Sequence, residues 1–421
     1  MADRFLIKGG VPLSGEVEIS GYKNAAGAIL AAVLLSKEAS IIDNLPQVTD
    51  VLDQIEILNK MGATIEWQNQ KKVKINPANI NPENIPTDLF EKMRVSVLLV
   101  GPLLARFRKF KIPHPGGDKI GLRPISTHLE ALKEFGIKVE EKDGFYNFEA
   151  PGNLEGKKVV LEEFSVSATE ILMMLAALSE GKTTIELAAA EPQVQDLGNF
   201  LKKMGLNIEG IGTHTITIEG KRELNGTEFS ICPDLLEAGT FVVAFALTKG
   251  QGKIKNVNPQ HLTMFLKKMK EIGVNLEILQ NEILIYPPSS VNFKPTKIQV
   301  LPYPGFPTDL QPQTSVLLTQ AQGKSLIHDP LYENRFQHLH ELRKMGADIE
   351  ITDPHRALIF GKTELTGNKI SALDIRSGAS LILAGLIARG ETQIGDIPQL
   401  ERGYEKFDEK LKKLGAQIER I

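Results

Sequence analysis

Six segments of the chain share one pattern of hydrophobic and polar positions, in which an amphipathic helical stretch ends at a glycine and an alternating strand follows. The junctions read KMGATIE, EFGIKVE, KMGLNIE, EIGVNLE, KMGADIE and KLGAQIE. Their glycines are Gly62, Gly136, Gly205, Gly273, Gly346 and Gly415, which lie 74, 69, 68, 73 and 69 residues apart. Glycine suits this position because the residue after a helix commonly takes a left-handed conformation. The spacing predicts six repeats of about 70 residues each.

A second pattern recurs once in each repeat and predicts which helices are buried. A β-patterned run leads through a polar turn into a helix that is apolar on nearly every face. The clearest copies span 13–35, 154–178, 224–247 and 365–387, and looser versions span 86–105 and 295–321. A helix without a polar face has no side that suits solvent, so we expect all six to be buried.

The six repeats predict an α/β fold with two lobes. Solenoid repeats usually run about 20–50 residues and stack in one dimension, whereas each repeat here is long enough to form a small subdomain. Six βαβαββ-like repeats divide into two domains of three, each with three central helices packed inside and sheets around them. We therefore expect two domains rather than a solenoid.

The composition limits the partners and the location. The chain has 421 residues, of which 42% are apolar and 24% charged, and its net charge is −3. A general nucleic-acid binder carries an excess of positive charge, so we expect no nucleic-acid partner. The longest apolar runs fall short of the roughly 20 residues of a membrane helix, and the N-terminal MADRFLIKGG has no signal-peptide core. We expect a cytoplasmic protein without a membrane partner.

Cysteine and histidine usage gives no sign of a metal site. Cys232 is the single cysteine, which excludes an intrachain disulfide and a multi-cysteine metal site. The stretch HLHEL at 338–342 has its histidines at i and i+2, and such positions do not share a helix face. The sequence therefore predicts no bound metal.

The basic run RFRKFK at 106–111 alternates cations with aromatic residues. Nucleic-acid binders mix the two residue types in a similar way. The run follows a predicted buried helix, however, and its alternation is that of a strand with one solvent face. We therefore predict an exposed strand.

Two turns carry carboxylates that are candidates for acid–base chemistry. Asp118 lies in HPGGDKIGLRP (114–124), on a glycine-rich turn with basic neighbours. Aspartate is common in turns, but a carboxyl group can also donate a proton where its surroundings favour the neutral form. Asp309 lies in FPTDLQPQ before an apolar segment, and the residues alone favour a helix N-cap there.

Seven segments resemble those of the enolpyruvyl transferases. They are IKGGVPLSGEVEISGYKNAA, MRVSVLLVGPLLARF, PGGDKIGLRP, FPTDLQPQ, ENRF, DIRSGASLILAG and ERGYEKFDEKL, and they run along the whole chain. The resemblance implies a two-lobed inside-out α/β barrel, in agreement with the repeat count. It also implies one domain at 23–232, a second formed by 1–22 and 233–421, and an active site in the cleft between them.

The resemblance is strongest to family members that use UDP-N-acetylglucosamine. It implies transfer of the enolpyruvyl group of phosphoenolpyruvate to the 3′-hydroxyl of this sugar nucleotide, with release of phosphate through a tetrahedral ketal. This reaction is the first committed step of peptidoglycan synthesis and uses no cofactor, and we expect a monomer. Two alternatives stay open: a related transferase acting on another nucleotide or a cyclic alcohol, and a non-catalytic sugar-nucleotide sensor.

The resemblance also implies roles for individual residues. Asp118 would protonate the methylene carbon of phosphoenolpyruvate, Asp309 would accept the hydroxyl proton, and Lys23 and Arg402 would assist catalysis. The residues implied at phosphoenolpyruvate are Lys23, Asn24, Arg123, Arg376 and Arg402. The residues implied at UDP-N-acetylglucosamine are Arg94, Arg123, Pro124, Ile125, His128, Ser165, Val166, Asp309 and Leu331.

Four positions depart from the usual family pattern. Asp118 stands where most members have a cysteine, which is the target of the epoxide fosfomycin, although a minority carry aspartate. Glu163 stands where a lysine is usual, Ser167 where a glycine is usual, and Leu235 where an arginine is usual. The last three departures bear on recognition of the sugar nucleotide more than on the chemistry of phosphoenolpyruvate.

Overall fold

The computed structural model describes residues 4–118, 120–288 and 292–421, and in it the chain forms two units. Unit 1 consists of Met1–Ser20, Lys119–Leu122 and Pro233–Ile421, and unit 2 of Gly21–Asp118 and Arg123–Cys232. The chain therefore starts in unit 1, builds unit 2 and then returns. The two ends of unit 2 are joined by a hydrogen bond that Tyr22 N donates to the oxygen of Cys232 (2.8 Å).

The elements of unit 1 that precede unit 2, and those of unit 2, follow the predicted alternation of strands and helices. Unit 1 begins with β1 (Phe5–Lys8) and β2 (Ser14–Glu18). The helices of unit 2 are α1 (Lys23–Ala32), α2 (Thr49–Lys60), α3 (Thr87–Phe90), α4 (Val100–Phe107), α5 (Ser126–Glu134), α6 (Val166–Ala177) and α7 (Pro192–Lys203). Its strands are β3 (Ser40–Asp43), β4 (Thr64–Asn69), β5 (Lys72–Asn76), β6 (Lys109–Pro113), β7 (Lys138–Lys142), β8 (Phe145–Glu149), β9 (Lys158–Val160), β10 (Lys182–Glu186), β11 (Asn207–Glu209), β12 (Thr215–Glu219) and β13 (Glu228–Ser230).

The rest of unit 1 repeats the same plan. Its helices are α8 (Leu235–Leu247), α9 (Thr263–Ile272), α10 (Gln311–Thr319), α11 (Gln337–Lys344), α12 (Ile375–Ile387), α13 (Ile397–Glu401) and α14 (Phe407–Lys413). Its strands are β14 (Gln251–Lys255), β15 (Leu276–Ile278), β16 (Glu282–Ile285), β17 (Lys297–Gln299), β18 (Gly323–His328), β19 (Asp348–Asp353), β20 (Arg356–Gly361), β21 (Lys369–Ser371), β22 (Glu391–Gly395) and β23 (Gln417–Arg420).

Each unit has three sheets among the described residues. In unit 2 their strand orders are β13-β3-β5-β4, β6-β8-β7 and β11-β12-β10-β9, and in unit 1 they are β21-β22-β1-β23, β15-β16-β14-β2 and β17-β18-β20-β19. The N-terminal strand β1 thus lies between two strands from the C-terminal end of the chain, and it is antiparallel to both.

The helices predicted to be apolar on every face are buried. In unit 2 they are α1, α4 and α6, and in unit 1 they are α8, α10 and α12. Every residue of α8 and of α10 is buried. Three of the six begin at a side-chain cap, since Ser165, Asp234 and Asp374 accept hydrogen bonds from backbone N–H groups of the first turn. Such caps satisfy N–H groups that have no partner inside the helix.

The repeat glycines adopt the predicted left-handed conformation. All six have φ between 72° and 107°. The structure therefore confirms the predicted fold class of six α/β repeats, three per unit, around buried central helices. Across the described residues, no helix is both long enough and apolar enough to span a membrane.

The prediction for RFRKFK is wrong in its first half. Arg106 and Phe107 form the last turn of α4, Arg108 follows with φ 64°, and the strand begins only at Lys109. Arg106 Nη1 donates to the carbonyl oxygens of Leu34 and Ser36. The side chain therefore bonds carbonyls near the end of the buried α1 segment instead of lying on the face of a strand.

Candidate active site

The loop that carries Asp118 is fixed at its start by two glycines. A Cβ atom on Gly116 would lie 1.8 Å from the oxygen of Glu91, and one on Gly117 would lie 2.8 Å from Cβ of Arg94. Gly117 also has φ +121°, a conformation that L side chains rarely adopt. Only glycine allows the loop to pack this closely on residues 91–94, and the loop presents half-buried Asp118 directly afterwards.

Beyond Asp118, residues 120–122 make their contacts within unit 1. Leu122 N donates to Oε1 of Glu333 (2.8 Å), and Asn334 N donates to the oxygen of Ile120 (3.1 Å). The side chain of Leu122 is 90% exposed. These bonds hold the segment by its backbone and leave its largest apolar side chain in solvent.

Lys23 lies at the start of a buried helix and forms a closely held ion pair. It is the first residue of α1, and its Nζ lies 2.6 Å from Oδ2 of Asp50 in the first turn of α2. The two side chains are only 11% and 7% exposed. The neighbouring Asn24 donates from Nδ2 to the hydroxyl oxygen of Tyr22 (3.2 Å). Asp50 therefore holds the ammonium group at the positive end of α1, where an anion is also favoured.

Arg94, Pro124 and Ile125 are brought together in front of α5. Nη2 of Arg94 donates to the oxygen of Pro124 (3.1 Å), Ile125 is buried, and Arg123 has φ 45°. A positive φ is uncommon for a residue other than glycine. Arg94 is therefore hydrogen-bonded to the backbone directly after Arg123, the other candidate arginine of this region.

Two departures from the family pattern, Glu163 and Ser167, have partners on α5. Thr127 Oγ1 donates to Oε1 of Glu163 (2.9 Å), and Nε2 of His128 lies 2.7 Å from Oγ of Ser167. Thr127 and His128 are consecutive and buried, while Glu163 and Ser167 flank the N-cap Ser165 of α6. Val166, the other predicted residue here, is the first residue of α6. The departures thus belong to one hydrogen-bonded link between the first turns of α5 and α6.

Burial of His128 makes the stability of unit 2 sensitive to acid. Burial, assisted by the nearby charge of Arg94, lowers the pKa of His128 to about 4. Because the folded pKa lies below the ordinary value of 6.5, the contribution to stability is fully present above pH 6.5 and is lost as the pH falls toward 4.

We expect the free energy of unfolding of the wild type to fall more than that of His128→Asn between pH 6.5 and 4, by about 3 kcal/mol. Urea unfolding at several pH values measures the difference. His340→Asn, at an exposed histidine of unit 1, serves as the control and should follow the wild type. Parallel pH curves for wild type and His128→Asn would contradict the interpretation.

Asp309 in unit 1 lies between two guanidinium groups. Nη2 of Arg335 lies 2.6 Å from Oδ1 of Asp309, and Nε of Arg376 lies 3.2 Å from Oδ2. Asp309 belongs to a 3₁₀ turn, Thr308–Leu310, and α10 begins after it without a side-chain cap. The N-cap that the residues alone favour is therefore wrong. Two adjacent cations stabilise the ionised form of a carboxyl group, so Asp309 is held as a carboxylate.

Arg335, in the ENRF segment, is the site residue that sequence reasoning left without a role. Its side chain is 2% exposed and lies beside Asp309 and Asp374. Burial alone would lower the pKa of Arg335, but the carboxylates of Asp309, Asp374 and Asp329 more than offset this and raise it above its ordinary value. The only available signal was the ENRF motif itself, because an arginine between Asn334 and Phe336 gives no indication that it pairs with aspartates distant in sequence.

The remaining predicted residues of unit 1 lie at helix ends and turns. Arg376 occupies the second position of α12, with its guanidinium carbon 5.2 Å from the ring centre of Tyr404. Arg402 follows α13, and its Nη1 donates to Oε1 of Gln399 (3.0 Å). Leu331 is exposed, and its N–H donates to Oδ1 of Asp329 (3.1 Å). Of these predicted residues, only Arg376 shares a described contact with Asp309.

The position of Leu235 explains how the fold accepts an apolar residue there. Leu235 is the first residue of α8 and is buried, directly after the cap Asp234. Burial raises the pKa of Asp234 to about 6, while Arg376 acts in the opposite direction. The start of α8 is thus a buried environment in which a leucine packs without a polar partner.

The architecture of six α/β repeats with carboxylates and arginines at the ends of buried helices is that of the enolpyruvyl transferases. The family described as EPSP synthase (3-phosphoshikimate 1-carboxyvinyltransferase) matches residues 7–411, and the chain belongs to this family. Its fold is similar to that of the enolpyruvyl transferase NikO from Streptomyces tendae, with a TM-score of 0.91 at 24% identity over 100% of this chain and 99% of that one. EPSP synthase from Acinetobacter baumannii has a TM-score of 0.78 at 18% identity, with both chains fully covered.

Sequence relatives narrow the comparison to one branch of the family. UDP-N-acetylglucosamine 1-carboxyvinyltransferase of Coxiella burnetii is 43% identical over 100% of this chain and 96% of its own. UDP-N-acetylglucosamine 1-carboxyvinyltransferase 1 of Caldanaerobacter subterraneus subsp. tengcongensis is 44% identical over the full length of both chains. The enzyme of that name from Thermotoga petrophila is 42% identical over 99% of both.

Proposed function

We propose that this protein transfers the enolpyruvyl group of phosphoenolpyruvate to the 3′-hydroxyl of UDP-N-acetylglucosamine and releases phosphate. The observation that carries the proposal is the 42–44% identity, over essentially the whole chain, to relatives that bear the name of this activity. The activity belongs to the cytoplasm, where it commits the sugar nucleotide to peptidoglycan synthesis. Its partners are the two small substrates, and it requires neither a cofactor nor a metal ion.

Asp118 supplies the proton in the proposed addition step. The acceptor oxygen bonds to C2 of phosphoenolpyruvate, the double bond shifts its electrons to C3, and the proton of Asp118 forms the new C–H bond there. Bound phosphoenolpyruvate carries several negative charges, which favour the neutral form of a nearby carboxyl group. In the second step the carboxylate of Asp118 takes a proton back from C3 and the C–O bond to phosphate breaks with its electron pair on the phosphate, which restores the double bond on the product.

Asp309 takes the hydroxyl proton of the acceptor in the addition step. Arg335 and Arg376 fix both of its oxygens, so the carboxylate is ionised and oriented before the acceptor arrives. A positioned base is more effective than a mobile one because no reorganisation is needed during reaction. The same two cations weaken Asp309 as a base, so its main contribution is orientation of the hydroxyl group.

The anionic groups of phosphoenolpyruvate require cations from both units. Lys23, Asn24 and Arg123 belong to unit 2, while Arg376 and Arg402 belong to unit 1. Arginine forms paired hydrogen bonds with carboxylate and phosphate, and lysine acts as a compact point charge. Neither unit alone provides the full set, so we propose that residues of both units bind phosphoenolpyruvate.

A phosphate-release assay tests the function. We expect phosphate from phosphoenolpyruvate only when UDP-N-acetylglucosamine is present, at the same rate with and without a chelator of divalent cations. Shikimate 3-phosphate in place of the sugar nucleotide should give only background release. Equal release with shikimate 3-phosphate, or a need for Mg²⁺, would contradict the proposal.

Glu163 supports a second candidate function, in which the acceptor is a different nucleotide. If UDP-N-acetylglucosamine is the acceptor, Glu163 lies near its diphosphate and repels it. Replacement of Glu163 by glutamine keeps an acceptor oxygen for Thr127 but removes the charge. We expect the KM for UDP-N-acetylglucosamine to fall about fivefold at unchanged kcat, the effect of removing one partly screened charge.

Glu162→Gln is the matched control for this experiment. Glu162 is the adjacent, exposed acid, and it has no partner on α5 among the described residues. Its replacement should change KM less than about twofold, since no described bond holds its carboxylate beside α5 as Thr127 holds that of Glu163. A rise in KM for Glu163→Gln would instead make the carboxylate part of UDP-N-acetylglucosamine recognition and would count against the second candidate.

A further inference from the structure

Unit 2 contains a cavity at the opposite end of its buried helices from Lys23, Arg94 and Ser165. Its volume is about 880 Å³, within the range of about 300–1,000 Å³ found for small-molecule sites. The segments that line it follow the C-terminal ends of the three central helices or connect β12 to β13. They are 35–38, 105–108, 178–181 and 220–225, with Asn153. No residue proposed above for the reaction lines this cavity.

The lining carries an excess of positive charge. Its cations are Lys37, Arg106, Arg108, Lys221 and Arg222, and its acids are Glu38, Glu180 and Glu223. Two of the acids are engaged by neutral groups, because Gly226 N donates to Glu38 (2.9 Å) and Asn153 Nδ2 donates to Glu180 (3.0 Å). Within residues 4–118, 120–288 and 292–421, none of the five cations forms an ion pair.

Arg106 and Arg108 have a structural role that uses only part of each guanidinium. Nη1 of Arg106 donates to Leu34 O (2.7 Å), and Nη1 of Arg108 donates to Leu104 O (2.9 Å) and Ala105 O. Both side chains are partly buried without a carboxylate beside them, and burial lowers the pKa of each. Capping of helix ends accounts for one nitrogen of each arginine, and no described bond uses the other two.

Capping does not account for Lys37, Lys221 and Arg222. The last carbonyls of α6 already accept bonds from Ser179 and from the backbone N–H of Lys221, and the attraction of a helix dipole fades within its last turn. The turn itself does not need an arginine at position 222 either. The segment GKREL (220–224) recurs in unit 1 as GKTEL (361–365), with Thr363 in place of Arg222.

We propose that this cavity binds a small anion that carries two or more linked phosphate groups. Guanidinium groups bind phosphate oxygens through paired hydrogen bonds, and ammonium groups add point charges around them. Two arginines that each have two nitrogens without a described bond, and three cations without a partner among the described residues, match a chain of phosphates better than one isolated anion. Inorganic polyphosphate and a nucleoside triphosphate share this chemistry, and the inference does not depend on the proposed reaction.

Calorimetric titration with inorganic tripolyphosphate tests the proposal on the whole protein at physiological salt. The test variant is Lys37→Gln with Lys221→Gln and Arg222→Gln, which leaves the arginines that cap helices in place. We expect its affinity for tripolyphosphate to fall at least about tenfold, because three moderately screened charges are lost. Adenosine triphosphate forms the second arm and should show the same dependence on the three positions.

A matched variant controls for net charge. Lys60→Gln with Lys138→Gln and Lys142→Gln removes three exposed lysines of the same unit that lie outside the cavity lining, and its affinity should stay within about twofold of wild type. Arg402→Ala should also keep tripolyphosphate binding, since Arg402 belongs to unit 1. Turnover of the cavity variant should equal that of wild type. Failure of the proposed function would appear as absent turnover in the wild type, whereas failure of this proposal would appear in tripolyphosphate binding.

Two results would overturn the proposal. One is absence of tripolyphosphate binding to the wild type. The other is binding that the cavity variant leaves unchanged or that Arg402→Ala abolishes, which would locate the anion at the proposed reaction site instead. Protection of backbone amides at 35–38 and 220–225 from hydrogen exchange on binding gives an independent readout of location.

Discussion

Asp118→Asn is expected to lower turnover by about 10²–10⁴-fold, the usual contribution of one positioned general acid. Asparagine has nearly the shape of aspartate but holds no proton that it can give to the carbon of phosphoenolpyruvate. The glycines before position 118 fix the path of the loop through backbone contacts, so the substitution should leave its conformation unchanged. The measurement is kcat for phosphate release with both substrates saturating.

Asp118→Cys is the matched variant that retains a proton donor. It should keep measurable turnover and become sensitive to fosfomycin, with the mass of the drug added at residue 118. A thiolate opens the strained epoxide readily, whereas a carboxylate is a much weaker nucleophile, so the wild type should stay active after preincubation. An active asparagine variant, or covalent inactivation of the wild type through Cys232, would return Asp118 to the role of a turn residue.

Arg335→Met is expected to lower the free energy of unfolding by about 3 kcal/mol. The guanidinium is almost fully buried between Asp309 and Asp374, and removal of one partner leaves the opposing charges without compensation in a poorly solvated place. Methionine fills a similar volume, so the effect measures the lost charge rather than a cavity. Urea unfolding followed by circular dichroism gives the value.

Arg356→Met provides the control for a surface ion pair. Arg356 pairs with Asp353 at 2.8 Å, but its side chain is 59% exposed, and exposed pairs contribute little. Its unfolding curve should nearly coincide with that of wild type. If Arg335→Met unfolds at the same urea concentration as wild type, the charges around Asp309 are better solvated than their burial indicates.

The arrangement of repeats could be predicted from the sequence because it rests on local patterns. A glycine after each amphipathic helix and an apolar helix after each polar turn are visible within one repeat, and both were confirmed. The error at 106–111 has a physical cause. Alternation of cations and aromatic residues occurs both on a strand and in a last helical turn whose arginine reaches back to carbonyl groups, and only the tertiary contact separates them.

The contacts within the candidate site could not be predicted in the same way. Glu163 indicated an unfavourable charge, yet Thr127 in the first turn of α5 donates a hydrogen bond to it. Glu163 lies just before α6, and nothing within either segment shows that α5 and α6 begin side by side. Asp309 has the residue type of a cap, but its two arginines come from positions 335 and 376. Pairing across such sequence separations depends on the folded arrangement of helices, which local propensities do not contain.

The position of β1 between β22 and β23 has a consequence for how the protein is made. Domains generally fold as units during synthesis, the N-terminal ones first. On the ribosome, the continuous stretch from Arg123 to Cys232 completes the sheets of unit 2 while the C-terminal half is still untranslated. The strand Phe5–Lys8 has neither of its partners until Glu391–Gly395 and Gln417–Arg420 leave the exit tunnel. A polypeptide released before that point carries a finished unit 2 and an apolar N-terminal strand with both edges open to other chains.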